Sequence, residues 1–313
     1  MKPRHLLTLA DWTSEEILAV LDLADRVKAR PDDFATRLAR KTLLMLFEKP
    51  SLRTRLSFEA GMTQLGGHAI YYSTQGSNIG GKETIEDTAK TAGRLVDAIM
   101  ARLYSHETLE KIAANAGVPV VNGLTDYSHP CQILADLLTI REKKKRLAGL
   151  SLAYLGDSKN NVTHSLLFGC AKTGMSISVG CPAGPEYEPL PEVLSLARAA
   201  AKKSGARVVV THDPGEAVSG ADVVYTDSWM SYHVPKDQEA ARVAILKPYQ
   251  VDSGKMKKAA PGAIFMNCLP AARGYEQTAE VIDGPQSVVF DEAENRLHAQ
   301  KALLLVLLGR DRD

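Results

Sequence analysis

Disulfides, a membrane span and a strongly charged surface are all missing from this chain of 313 residues. Its four cysteines (Cys131, Cys170, Cys181, Cys268) form no C-x-x-C pair and are too sparse for a disulfide scaffold, so a reducing, cytoplasmic setting is expected. Lys and Arg total 38 against 37 Asp and Glu, a formal charge of +1. That balance argues against a nucleic-acid or anionic-membrane partner, while leaving room for a local basic pocket. The longest purely apolar run, Ala302 to Leu308, falls far short of the ~20 residues of a membrane span. The first residues, Met1 to Leu7, give way to polar ones too soon for a signal-peptide core. There is no internal repeat, low-complexity tract or long linker. What remains is 45% hydrophobic and 24% charged, ordinary for a globular protein with room for two α/β domains.

Periodicity supplies the architecture. Thr13-Ser14-Glu15-Glu16 reads as a capping box, followed by Ile17, Val20, Leu21, Ala24 and Val27 at helical spacing. Short apolar runs suited to buried strands follow at Thr42–Phe47, Ala69–Tyr72, Ala98–Leu103 and Val118–Val121, separated by helical patterns. A helix starting at Pro130 runs into the charged block Arg141 to Arg146, where the domain junction is placed. A second series of strands is expected at Leu150–Leu155, Ser176–Cys181, Arg207–Thr211, Asp222–Thr226, Ala263–Asn267 and Ser287–Phe290, before a last helix from Asp291 to Leu308. Strands alternating with helices predict an α/β fold of two doubly wound parallel-sheet domains joined by interdomain helices, 1–140 and 147–290.

Ligands of such sheets bind beyond the carboxyl ends of the strands. After the first strand comes Glu48-Lys49-Pro50-Ser51-Leu52-Arg53-Thr54-Arg55. Ser51 suits an N-cap, yet two arginines in a first helical turn oppose the helix dipole unless an anion sits there. Backbone N–H groups, the Ser51 and Thr54 hydroxyls and a guanidinium would together hold a phosphate. Gly76 to Lys82 has P-loop spacing, but Glu83 stands where the nucleotide chemistry needs a hydroxyl. Arg102 ends an otherwise apolar strand and is either a surface ion-pair residue or a ligand. Pro130 suits the first position of a helix, where His129 and Gln132 are either plain caps or donors to an oxyanion. Gly156-Asp157-Ser158-Lys159-Asn160-Asn161 lacks the dinucleotide spacing and reads equally as a turn. Asp227, with Ser231 nearby, can meet a cationic group. Cys268, at a strand exit, is either a small buried hydrophobe or a site residue. Arg296 is a cation near a helix start. No pattern suggests zinc or a serine hydrolase, so neither metal nor cofactor is expected.

With these residues assembled, the chain resembles the ornithine carbamoyltransferases along essentially its whole length. Ser51-Leu52-Arg53-Thr54-Arg55 matches the S-x-R-T-R signature shared with aspartate carbamoyltransferases, and His129-Pro130-Cys131-Gln132 is the H-P-C-Q motif of the ornithine branch. Asn161 occupies the position of an ornithine-binding Asn. Asp227 and Ser231 fit the start of D-x-x-x-S-M-G, Cys268-Leu269-Pro270 fits the end of H-C-L-P, and Asp291 to Arg296 matches the C-terminal segment. The resemblance implies carbamoyl transfer from carbamoyl phosphate to the δ-amine of L-ornithine, giving L-citrulline and phosphate in arginine biosynthesis. It also implies a homotrimer with shared active sites, in which Asn78 acts across the interface and the helix of 291–313 packs back on the first domain. Carbamoyl phosphate is then expected to meet Ser51, Leu52, Arg53, Thr54, Asn78, Arg102, His129, Pro130, Cys131, Gln132, Cys268, Leu269 and Arg296. Ornithine is expected to meet Asn161, Asp227, Ser231, Tyr232 and Leu269. Arg102, His129, Cys268 and Asp227 are expected to be catalytic.

The family pattern is broken in three places. Asn267 replaces a His, Tyr232-His233 replaces Met-Gly, and Asn78 replaces a Gln. The phosphate side is intact, so the reaction type is the firmer expectation and the acceptor the softer one. A carbamoyltransferase for another amine, such as putrescine, is the nearest rival. Aspartate fits worse, because Asp227 and Cys268 suit a cation better than a dicarboxylate. A non-catalytic relative binding phosphate or an amino acid, and an ATPase, rank lower.

Overall fold

Aliphatic and aromatic side chains with few polar interruptions make the strands, and the glycine-rich or hydroxyl-bearing residues after them start the helices. The computed structural model describes residues 4–75, 81–230 and 235–311. It divides into two compact units, Met1–Leu138 with Glu294–Asp313, and Thr139–Ala293.

The first unit begins with α1 (Ser14–Ala29), whose start is the expected capping box. The Thr13 hydroxyl accepts the Glu16 N–H at 3.2 Å, and the Glu16 carboxylate accepts the Thr13 N–H at 2.8 Å. Next come β1 (Thr42–Phe47), α2 (Leu52–Gln64), β2 (His68–Ser73), α3 (Ile85–Ala92), β3 (Ala98–Arg102), α4 (His106–Asn115), β4 (Val120–Leu124) and α5 (Pro130–Lys144). The four strands are parallel in the order β2-β1-β3-β4, so the chain leaves β1 toward one side and later returns on the other. That reversal opens a crevice at the carboxyl ends of β1 and β3. Phe47 and Arg102 are register partners there. Between β3 and β4 the register slips after Ala101, which pairs with Asn122 while Arg102 pairs with Leu124. The skipped residue is Gly123, where an added Cβ would lie 2.5 Å from the Met100 sulfur. The irregularity re-aims the end of β3, which carries Arg102.

The second unit contains β5 (Ser151–Leu155), α6 (Asn161–Thr173), β6 (Ser176–Gly180), α7 (Pro191–Ser204), β7 (Val208–Thr211), α8 (Pro214–Val218), β8 (Val223–Tyr225), α9 (Glu239–Leu246), α10 (Ser253–Lys258), β9 (Ile264–Met266) and α11 (Ala279–Ile282). Its parallel sheet has the order β7-β6-β5-β8-β9 and reverses between β5 and β8. Ala153, Leu155, Val224 and Phe265 fill the core under these strands. The last helix, α12 (Val289–Leu307), is divided at Ala293, its later turns belonging to the first unit. α5 is likewise divided, after Leu138.

One expected strand is not formed. Ser287–Phe290 contributes a single bridge, Phe265 with Ser287, and the helix α12 has already begun at Val289. β-branched valines favour a strand locally, but the longer helical pattern from Asp291 onward captures them.

Gly93, after α3, marks the tightest approach in the first unit. A Cβ placed there would lie 1.6 Å from the Ala116 carbonyl oxygen. Gly93→Ala is therefore expected to destabilise the protein by about 2 kcal/mol or more, as overpacking does. Thermal unfolding beside the wild type checks this; an unchanged Tm would contradict the packing described.

Candidate active site

In the first unit the exits of β1 and β3 converge. Ser51 caps α2, its hydroxyl accepting the Thr54 N–H at 3.3 Å and lying 3.1 Å from the Thr54 hydroxyl. Arg102 Nη1 lies 3.5 Å from Thr54 Oγ1, and Arg296 Nη2, from α12, lies 3.4 Å from the same oxygen. Arg296 is oriented by neutral amides: Nη1 donates to Gln132 Oε1 at 2.7 Å and Nε to Gln300 Oε1 at 2.9 Å. Gln300 in turn donates to Ser57 Oγ at 2.8 Å, and Gln132 to Asp136 Oδ1 at 2.8 Å. Thr54, Arg102, His129, Gln132 and Arg296 are all buried. Two guanidinium groups on one hydroxyl at a helix start form a cationic site shaped for an oxyanion.

His129 precedes Pro130 at the start of α5, and its carbonyl accepts the Gln132 N–H at 3.1 Å. Burial pushes the imidazole well below its ordinary pKa, and Arg296, Arg102, Lys49 and Arg53 push it further. It is thus a neutral hydrogen-bonding group, not a cation. Lys49, which the sequence did not single out, is buried with its ammonium 4.6 Å from the Tyr104 ring centroid. Burial first, then Arg102, lowers its pKa to about 8.

Not every residue of the motifs faces this site. Arg55 pairs with Glu59 at 2.9 Å and lies 4.1 Å from the Tyr71 ring centroid, so only one of the two arginines of the first turn, Arg53, remains for an anion. Leu52 is 70% exposed. The Cys131 thiol donates to the Asn122 carbonyl at 3.3 Å, and burial pushes its pKa up to about 12, so the thiol serves packing. Asn78, Ser231 and Tyr232, and with them the glycine-rich loop at Gly76–Gly80, lie outside the described residues.

In the second unit, Asp227 follows β8 and Cys268 follows β9. The Cys268 thiol donates to Asp227 Oδ1 at 3.2 Å. Desolvation raises the Asp227 carboxyl above its ordinary value, opposed by the Ser228 N–H and the Cys268 thiol. Leu269 adopts a left-handed backbone (φ 54°), and its N–H is held at 2.8 Å by Asn267 Oδ1. Asn161 opens α6 beside Asn160, whose side chain caps the helix by accepting the Thr163 N–H at 2.8 Å. Asp157, after β5, forms a close ion pair with Arg242 of α9. Burial raises the Asp157 carboxyl to about 6 against that pairing. Arg242 also donates to the Trp229 carbonyl at 2.6 Å and lies 5.3 Å from the Tyr187 ring centroid. The anchors Asp157 and Arg242 were missed; the position of Asp157 at a strand exit was the available signal. Among the described residues, no group of His, Cys, Asp and Glu is placed to hold a metal, and no helix is long and apolar enough to cross a membrane.

The first unit thus carries a cationic cluster suited to an oxyanion, and the second a carboxylate–thiol pair suited to a cation. Comparison with known proteins agrees. Family models for the carbamoyl-P binding domain and the Asp/Orn binding domain of aspartate/ornithine carbamoyltransferases match residues 4–142 and 148–307. The chain belongs to that family. It is 52% identical over 308 residues to an ornithine carbamoyltransferase of Carboxydothermus hydrogenoformans, covering 98% of both chains. It is 50% identical over 305 residues to one of Bacillus subtilis, covering 97% of this chain and 94% of the relative. Among solved structures, an ornithine carbamoyltransferase from Pyrococcus furiosus superposes with a TM-score of 0.94 at 48% identity, covering 98% and 97% of the two chains.

The depressed His129 pKa has a measurable sign. Below its ordinary 6.5 the unfolded chain takes up a proton that the folded one refuses, so this residue's contribution favours the fold above that pH and is lost as pH falls through and below it. In an NMR titration His129 is expected to stay neutral at pH 6; a midpoint at the ordinary value would contradict the buried cationic surroundings.

Proposed function

We propose that this enzyme transfers the carbamoyl group of carbamoyl phosphate to the δ-amine of L-ornithine, giving L-citrulline and phosphate. The observation that carries the reading is the convergence of Arg102 and Arg296 on Thr54 beside the neutral His129. Carbamoyl phosphate places a dianion next to a carbonyl. Ser51, Arg53, Thr54, Arg102 and Arg296, with Leu52 and Asn78 in the same expected set, take the phosphate. Arg102, Thr54 and His129 polarise the carbonyl oxygen, the start of α5 at Pro130, Cys131 and Gln132 supplying its frame. A neutral imidazole donates to an oxyanion without adding charge that the leaving phosphate must share.

On the acceptor side, Asp227 with Cys268 and the Leu269 carbonyl receives the δ-ammonium, and Asn161, Ser231 and Tyr232 orient the amino acid. The amine must lose a proton before it attacks. Its nitrogen then bonds to the carbonyl carbon, the carbon–oxygen bond to phosphate breaks, and one of the two protons left on that nitrogen passes to the departing phosphate oxygens, the other staying as the new N–H of citrulline. The site chemistry calls for no metal or other cofactor, and its partners are these two small molecules. The 52% identity to a relative named for ornithine supports that acceptor over putrescine.

Citrulline formation from carbamoyl phosphate is measured with ornithine, putrescine, L-lysine and L-aspartate in parallel. Ornithine is expected to dominate. Thr54→Val is expected to lower kcat by ~10²–10³, the usual cost of one oxyanion donor. Dominance of another amine would overturn the acceptor, and undiminished Thr54→Val activity the oxyanion site.

The same reading includes a homotrimer with shared sites, in the cytoplasm and in arginine biosynthesis. Apolar exposure supports assembly: Leu56 on α2 is 56% exposed, and Ile70 and Tyr72 on the edge strand β2 are 40% and 42% exposed. The free cysteines fit a reducing compartment. Light scattering is expected to give three times the 33.9 kDa chain mass, and Leu56→Asp to reduce it. A wild-type mass of one chain would remove the shared site from this reading.

A further inference from the structure

Four backbone groups near the acceptor residues are held by side chains of one dipeptide or its direct partner. Glu276 and Gln277 are buried. Glu276 Oε1 accepts the Trp229 N–H at 3.0 Å, and Oε2 accepts the Ala272 N–H at 3.0 Å. Gln277 Nε2 donates to the Ala272 carbonyl at 3.2 Å, while its Oε1 accepts Asn267 Nδ2 at 3.3 Å. Asn267 in turn fixes the Leu269 N–H at 2.8 Å. Trp229 is two positions after Asp227, and residues 267–272 contain Cys268 and Leu269. The dipeptide therefore ties the loop after β8 to the loop after β9.

The dipeptide is itself anchored. Its backbone pairs with Val251, the Val251 N–H donating to the Glu276 carbonyl at 2.9 Å and the Thr278 N–H to the Val251 carbonyl at 3.0 Å. The Gly274 N–H donates to the Gln277 carbonyl at 2.8 Å. Because Glu276, Gln277 and Asn267 are buried, losing their partners would cost more than losing surface hydrogen bonds.

We infer that Glu276 and Gln277 are positioning residues that set Asp227 against Cys268 and Leu269, and so fix the geometry in which the acceptor amine is received. The inference rests on the acceptor reading above. It also accounts for Asn267, where the family pattern has His: the amide offers both an acceptor for Leu269 and a donor for Gln277 without a titrating group.

The test compares wild type with Glu276→Gln and Gln277→Leu in steady-state kinetics with both substrates. Each variant is expected to raise the ornithine KM about tenfold, equivalent to about 1.4 kcal/mol, while the carbamoyl-phosphate KM stays within about twofold. Iodoacetamide labelling followed by mass spectrometry reads the loops directly. One label at Cys268, added faster than in wild type, is expected, with Cys131, Cys170 and Cys181 unlabelled because they are buried. Equal changes in both KM values, or an unchanged ornithine KM, would overturn the inference, as would an unchanged Cys268 labelling rate. Should either variant fail to fold, amide hydrogen exchange on the wild type decides, since rapid exchange at Trp229 and Ala272 is incompatible with the tie. If the wild type carbamoylates no amine, the acceptor reading fails and takes this inference with it. If it carbamoylates ornithine and the variants show no split, the inference alone fails.

Discussion

Two guanidinium groups directed at one buried hydroxyl are the constraint around which the first unit is arranged. Arg102 and Arg296 repel each other, and burial removes the water that would screen them. Gln132, Gln300 and Thr54 contribute oxygens that fix the direction of the Arg296 guanidinium, and Gln132 is itself held by Asp136. Two buried guanidinium groups held in fixed directions present a preorganised cationic surface to an anion. The same field keeps His129 neutral. In the proposed reaction one arrangement thus offers both a receptor for a dianion and an uncharged donor for the carbonyl beside it.

Much of this was legible because it is written locally. Strand β1 was bounded correctly from its apolar run, and the capping box of α1 from four consecutive residues. The anion site was signalled by arginines where a helix dipole resists them. That signal overcounted, because Arg55 satisfies its charge with Glu59 and the face of Tyr71, partners visible only once α2 and β2 are packed. The error at Ser287–Phe290 has a different origin. Val288 and Val289 carry a real strand preference, and it loses to the longer helix that follows.

What stayed hidden connects residues far apart in the chain. Asp157 and Arg242 are 85 positions apart, and Trp229 and Glu276 are 47 apart. No periodicity or motif announces such pairs, since a buried glutamate and a surface glutamate look alike in a sequence. In the sequence, Asn267 stands out only as a departure from the family pattern. Only its two hydrogen bonds, to Leu269 and to Gln277, explain why an amide serves there.

The two units meet different electrostatic demands, and their polar chemistry differs accordingly. In the proposed reaction the first must hold a dianion and release it as phosphate, so it concentrates fixed positive charge and keeps the His129 imidazole uncharged. In the same proposal the second must receive an ammonium group and let it lose a proton. A carboxyl raised by burial suits that task better than an ordinary one, because it attracts the cation yet holds a shared proton more readily. Such a carboxyl is useful only if its distance from the neighbouring thiol and carbonyl is fixed, since a displacement of an ångström in a reacting pair can cost about a hundredfold in rate. Side-chain hydrogen bonds from Glu276, Gln277 and Arg242 tie the described parts of the loops that carry these groups to one another, where strand pairing does so elsewhere in the sheet.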